Sequence, residues 1–271
     1  MFRNLPPITK NLLLINLICY LADVVFQRYG IDFSRIFGLH YVTASEFQLW
    51  QPLTYMFMHA NFSHIFFNMF AVMMFAPALE ERWGGKRFLI YYLITGLGAA
   101  AVQEAVWALQ LQPVLNSLDP MMAAKLANRV VTIGASGAVF GILLAFGWLF
   151  PDVRMFIMFI PIPIRARTLV IVYALIELFT GLAPSAGDNV AHFAHLGGMI
   201  FGWLLILWWR YRGYDGFDST PWNDGTFRRW IENIKRWIQY KRNERFPPRH
   251  PRINRDRDSK DYSDYHYHKP L

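Results

Sequence analysis

Residues 133–150 read IGASGAVFGILLAFGWLF, a stretch without one ionisable side chain and with four small residues, Gly134 to Gly137, near its start. A helix apolar on every side belongs in a bundle core or in lipid, and crossing a bilayer takes about 20 such residues. Five further stretches flank it at 11–28, 63–80, 88–110, 167–184 and 190–209. Together they predict an all-α polytopic membrane protein, a bundle of six transmembrane helices.

The chain has 271 residues, of which 54% are hydrophobic and 17% charged. The charge is unevenly spread: residues 210–271 hold fifteen of the 27 Lys and Arg and nine of the 19 Asp and Glu. The organisation expected is therefore a short N-terminus (1–10), a membrane domain (11–210) and a basic tail (211–271). A local basic segment beside so much apolar sequence favours a membrane surface as partner and argues against nucleic acid. Cys19 is the single cysteine, which excludes an intrachain disulfide and a cysteine-based zinc site. The first apolar stretch is too long for a cleavable signal, carries Asp23 and has no small-residue cleavage site after it, so it reads as a retained anchor.

Lys and Arg in short loops stay on the cytoplasmic side. With the N-terminus inside, that side receives Arg3, Lys10, Arg82, Lys86, Arg87, Arg154, Arg165, Arg167 and the tail; the other receives Arg28, Arg35, Lys125 and Arg129. The expected topology is N-in and C-in. The outer loop at 29–62 carries Phe33, Ile36, Phe37, Tyr41, Phe47, Leu49 and Trp50, a content that predicts embedding at the membrane interface.

Polar groups in a bilayer are costly and usually face a bundle interior or cavity. Ser136 lies between small residues at the start of its helix, where backbone amides lack intrahelical acceptors, an arrangement suited to a nucleophile with an oxyanion pocket. Alone, Gly134, Gly137 and Gly141 could simply permit close helix packing. Ala194, Gly198 and Gly202 recur every four residues, and a stripe of that kind packed on the Ser136 helix brings His195 to Ser136 as a candidate base. His192 reads as a packing or hydrogen-bonding histidine. His64 and Asn68 are four residues apart and share a helical face, so both could donate to an oxyanion together with the Ser136 amide. His59, one turn earlier, reads as structural. No Asp or Glu is placed to orient His195, so the pattern is a dyad and not a triad. Glu104 and Glu177 acquire no role.

These motifs resemble the rhomboid family of intramembrane serine proteases over residues 45–205. They run in order: Trp50 leading to His59-Ala-Asn-Phe-Ser-His64-Ile-Phe-Phe-Asn68, then Glu80-Glu81-Arg82-Trp83-Gly84, then Gly134-Ala-Ser136-Gly137 with Gly141, then Ala194-His195-Leu-Gly-Gly198 with Gly202. The resemblance implies Ser136 as nucleophile, His195 as general base, and His64 and Asn68 in the oxyanion hole. Around them stand His59, Gly134, Gly137 and Gly198 in structural roles, and Phe140 stacked on the catalytic histidine. It implies no cofactor and no metal. The substrates it implies are single-span membrane proteins cut near the outer face after a small residue, and the setting is a multi-pass protein of a prokaryotic inner membrane. Gln51 stands where many relatives carry arginine.

Two other readings compete. A pseudoprotease would bind membrane proteins without cutting them, but such proteins typically lose the serine or histidine and this chain keeps both. A small transporter would use Glu104 and Glu177 for protons, but such folds usually show internal repeats and no clear halves are present. Residues 226–245 (TFRRWIENIKRWIQYKRNER) set Trp230, Ile231, Ile234, Trp237 and Ile238 at helical spacing among basic residues, which predicts an amphipathic helix on anionic lipid. Beyond Pro247 the composition predicts disorder.

Overall fold

The computed structural model describes residues 5–157, 160–183 and 191–213, and past these only Arg236 and Gln239. The surface helix expected over 226–245 thus lies outside the described residues, save for those two positions, both helical and exposed.

The apolar stretches become helices α1 (Pro7–Gln27), α4 (Phe62–Trp83), α5 (Gly85–Ser117), α7 (Ser136–Leu149), α8 (Ala166–Leu182) and α9 (His192–Tyr211). Short helices α2 (Phe33–Phe37), α3 (Gln51–Thr54) and α6 (Pro120–Arg129) fill the connections. Among the described residues four helices, α1, α4, α5 and α9, are long and apolar enough to cross a membrane. With 14 and 17 residues, α7 and α8 are shorter, and at 1.5 Å per residue α7 rises only about 21 Å. It sits in the middle of the bundle, with most of its side chains buried. Large apolar residues remain exposed along α1 (Leu14, Leu17, Ile18, Leu21, Val25) and α8 (Ile171, Leu175, Ile176, Phe179, Leu182). Such belts would be a liability in water and are matched by lipid. The chain is an integral membrane protein.

Two expectations need correcting. The fold is mostly helical but not all-α, because β1 (Leu39–His40) pairs antiparallel with β2 (Val131–Thr132), and β3 (Arg154–Ile157) with β4 (Ile160–Arg165). Each ladder satisfies backbone groups where the chain leaves a helix and has no helical partner. The first also ties the loop after α1 to the segment that enters α7. In addition, α5 runs past Gln110 to Ser117, and Asp119 caps α6 by accepting from the Met121 and Met122 amides, both at 3.1 Å. The connection between the apolar stretches at 88–110 and 133–150 is therefore largely helical.

The centre of the bundle is α5, α7 and α9, joined by small residues. Along one face of α5, Thr95 packs into the gap left by Gly141 of α7 and lies against Gly202 of α9, Ala99 fills the space beside Gly137, and Val102 that beside Gly197. The Tyr91 hydroxyl donates to the Gly141 carbonyl at 2.8 Å. The stripe of α9 therefore serves two helices: Gly198 meets the α7 backbone, whereas Gly202 meets Tyr91 and Thr95 of α5. Between α4 and α5 lies Gly84 alone, whose φ of 78° turns the chain in the left-handed region that glycine adopts without strain.

The start of α1 is capped from a distance. Pro7 has no amide proton to satisfy, and the next two amides, of Ile8 and Thr9, donate to the Glu80 carboxylate at 2.8 and 2.7 Å, with the Thr9 hydroxyl adding a bond of 2.8 Å. A carboxylate at a helix N-terminus also opposes the positive end of the helix dipole. Glu80→Ala strands these buried donors and is expected to destabilise the fold by about 1–3 kcal/mol, read as a lower unfolding midpoint in detergent. An unchanged midpoint would show that α1 is held by its apolar face alone.

Candidate active site

Ser136 is the first residue of α7, and no side chain caps this end. The first amides of the helix, including those of Ser136 and Gly137, consequently lack intrahelical acceptors and remain donors. The approach is set by Gly134, which takes φ 128° and donates its amide to the Tyr55 carbonyl at 2.9 Å. A β-carbon there would stand 2.7 Å from His64 Nε2 and 3.5 Å from Ser136 Oγ. The bare glycine thus leaves a small cradle with the serine hydroxyl on one side and the His64 ring on the other.

His195 lies in the first turn of α9, and its Nε2 is 2.8 Å from Ser136 Oγ. The bond depends on the helix crossing below it: a β-carbon on Gly198 would collide with the Gly137 carbonyl oxygen. Phe140, one turn after Ser136, stacks on the His195 imidazole with ring centres 4.4 Å apart and planes 8° from parallel. Serine hydroxyl, imidazole and ring are thereby fixed in one line of contact.

On α4, Asn61 caps the helix by accepting from the His64 amide at 2.9 Å, which sets the ring of His64 one turn into the site. Asn68 is buried and spends one N–H on the His64 carbonyl at 2.9 Å; an amide side chain carries a second. His59 is buried with its ring edge-on to that of His64, centres 5.0 Å apart.

An acid does orient His195, contrary to the sequence reading. Glu177 of α8 places Oε2 at 2.9 Å from His195 Nδ1 and 2.7 Å from His192 Nδ1. His192 Nδ1 also lies 3.0 Å from the Thr180 hydroxyl, one turn along from Glu177. The sequence does carry a signal for this contact: a carboxylate in an apolar span needs a partner, and His192 and His195 are one helical turn apart. Which span would face them is a matter of packing, not of spacing. These three residues are also the metal-ligand cluster among the described residues, with ligand atoms within 4.8 Å of one another. Direct hydrogen bonds already join them.

A family model described as the rhomboid domain matches residues 46–212. The chain belongs to the rhomboid family. It is 30% identical over 213 residues to rhomboid-like protein 11 of Arabidopsis thaliana, a chloroplast protein, covering 72% of this chain and 62% of that one. To the mitochondrial rhomboid-like protein 6 of the same plant it is 27% identical over 63% of this chain and 48% of the relative. To the rhomboid protease AarA of Providencia stuartii it is 29% identical, covering 74% and 71%. The chain thus spans less than two thirds of the length of either plant relative.

In this chain the loop after α1 is held by Gln51. Its buried amide donates to the Glu46 carbonyl at 2.9 Å and the Ile36 carbonyl at 3.3 Å, while its oxygen accepts from the His40 amide at 3.3 Å. Glu104 of α5 accepts from the Val42 amide at 3.1 Å. Arg35 also pairs with Glu46, and its hydrogen bond holds that carboxyl below the usual range. An exposed pair of this kind contributes little; the anchoring comes from the buried Gln51.

The Gly137–Gly198 contact makes a sharp forecast. Gly198→Ala forces α9 off α7, with the 1–3 kcal/mol or so typical of overpacking as a lower bound. It should lower the unfolding midpoint in detergent. A midpoint equal to wild type would mean that the crossing is looser than this geometry.

Proposed function

We propose that this rhomboid-family chain is an intramembrane serine endopeptidase that hydrolyses peptide bonds in or near transmembrane segments. The single observation carrying the reading is the 2.8 Å bond between His195 Nε2 and Ser136 Oγ, at a helix start with uncapped amides. Ser136 Oγ attacks the scissile carbonyl carbon and its proton passes to His195 Nε2. The negative charge on the tetrahedral oxygen is met by the Ser136 amide, His64 and Asn68 across the cradle at Gly134. His195 returns the proton to the departing amine, the peptide bond breaks, and a water activated by the same histidine releases the acyl group and restores Ser136.

In this reading six helices cross the membrane with both termini inside, α7 being short because its partners shield it, and the loop at 29–62 rests at the interface through exposed Leu49, Trp50 and Leu53. Substrates are single-span membrane proteins cleaved near the outer face after a small residue. The compartment proposed is a prokaryotic inner membrane; the named relatives include plant organellar proteins as well as a bacterial one. The basic tail would rest on anionic lipid. Against a proton-transporting role, Glu177 is engaged by the two histidines, and one oxygen of Glu104 holds the Val42 amide.

The test is incubation of purified protein in proteoliposomes with a panel of single-span substrates. Ser136→Ala and His195→Ala should each reduce cleavage at least about a thousandfold, and the double variant should be no worse, because a nucleophile and its base act as one unit. Substantial cleavage by Ser136→Ala would overturn the serine mechanism. A folded wild type that binds the panel and cuts none of it would favour the pseudoprotease.

A further inference from the structure

We infer that Glu177 is the third member of the catalytic group, a positioning residue that fixes the tautomer of His195 and stabilises its imidazolium. The inference rests on the proteolytic reading above. It begins with an inventory of protons. Glu177 Oε2, as carboxylate, can only accept, and it faces Nδ1 of both His192 and His195. The proton of the Thr180 hydroxyl goes to the Ile176 carbonyl at 2.7 Å, so that hydroxyl too presents a lone pair to His192 Nδ1. His192 Nδ1 therefore faces two acceptors and carries the hydrogen.

The same reasoning puts the hydrogen of His195 on Nδ1. A neutral imidazole has one N–H, so Nε2 is left with its lone pair directed at Ser136 Oγ, as a base taking the serine proton requires. When that proton arrives, His195 becomes a cation whose Nδ1–H lies 2.9 Å from a carboxylate in an apolar bundle, where a charge–charge contact is far stronger than in water. No atom of Glu177 is transferred: the carboxylate remains ionised and the proton stays on the imidazole until the leaving amine takes it.

His192 has the subsidiary part. A carboxylate with one partner in a span of apolar residues is costly to hold ionised, and the second N–H, at 2.7 Å, supplies the additional donor. Glu177 and His195 are both largely buried. Phe140 closes one face of the imidazole and the ring edge of Tyr173 backs Phe140, with centres 6.1 Å apart. The titratable groups nearest His195 are therefore Glu177 of α8, His192 of its own helix, Ser136 of α7 and His64 of α4.

The decisive variant is Glu177→Gln, which keeps size and an accepting oxygen but removes the charge. Purified wild type and variant are compared in proteoliposomes with one single-span substrate. We expect kcat to fall on the order of a hundredfold or more with KM little changed, and the acid limb of kcat/KM to move to lower pH, because an imidazolium deprived of its anion loses its proton more readily. Glu177→Asp keeps the charge at a shorter reach and should recover part of the loss. A merely structural Glu177 would scale the amount of active enzyme and leave the acid limb in place. That outcome, or a variant equal to wild type in kcat, overturns the proposal and leaves the Ser136–His195 mechanism standing. A wild type that cuts nothing removes both. Should Glu177→Gln fail to fold, the wild-type protein labelled with nitrogen-15 histidine decides: a neutral His195 protonated at Nδ1 supports the inference, and one protonated at Nε2 refutes it.

Discussion

The meeting of α7 and α9 at Gly137 and Gly198 is the contact on which the rest of this molecule depends. Side chains normally hold helices 8–10 Å apart; here the backbone of one lies against the backbone of the other, because neither residue has a β-carbon to intervene. The consequence is chemical. His195 and Ser136 sit one turn or less from this contact, and a hydrogen bond of 2.8 Å tolerates little separation of the helices that carry them. Van der Waals packing is what associates helices in lipid, where the hydrophobic effect between them is absent. The force that builds the bundle is thus the same force that aligns the nucleophile with its base.

A second constraint is the cost of leaving polar groups unpaired in an apolar medium. Glu80 answers it at the start of α1, Gln51 within the loop after α1, Glu104 at Val42, and Glu177 between two histidines. In each case a long polar side chain reaches from one element to exposed amides, carbonyls or ring nitrogens of another. The loop between α1 and α4 is consequently closed on itself through Gln51 and tied to α5 and, through the β1–β2 ladder, to the segment that delivers Ser136. It is part of the site's scaffold and not a free connector.

The sequence announced the helices because apolarity over a membrane's thickness has few other uses, and it announced Ser136 and His195 because small residues at four-residue spacing mark close crossings. It located their ends less well. Past Gln110, α5 continues to Ser117, since nothing in LQPVLNS stops it, Pro113 alone does not break it, and Leu115 is buried in the core. The two-residue strands are too short to leave any periodicity. The four-residue spacing on α9 implies one face meeting one helix, whereas its residues are shared between α7 and α5, a division that depends on the rotation of α9 and on Tyr91 and Thr95 lying opposite. Glu177 acquires no role from the sequence, because the distance from residue 177 to residue 195 is set by how α8 docks.

That last case bears on what a catalytic group is in a protein of this kind. Ser136, His195, Glu177 and His64 come from α7, α9, α8 and α4, so no pair of them is adjacent within any one element. The bonds that join Ser136, His195 and Glu177 therefore all cross from one helix to another. The two histidines that close on Glu177 are therefore a means of holding α8 against α9 as much as a means of tuning a base. Removing the carboxylate would leave the buried His195 N–H without its acceptor and His192 with the Thr180 hydroxyl alone of the two oxygens at its Nδ1, a loss felt in packing and in proton transfer together. Replacing it by a neutral isostere separates the two effects, since the acceptor survives and only the charge is lost.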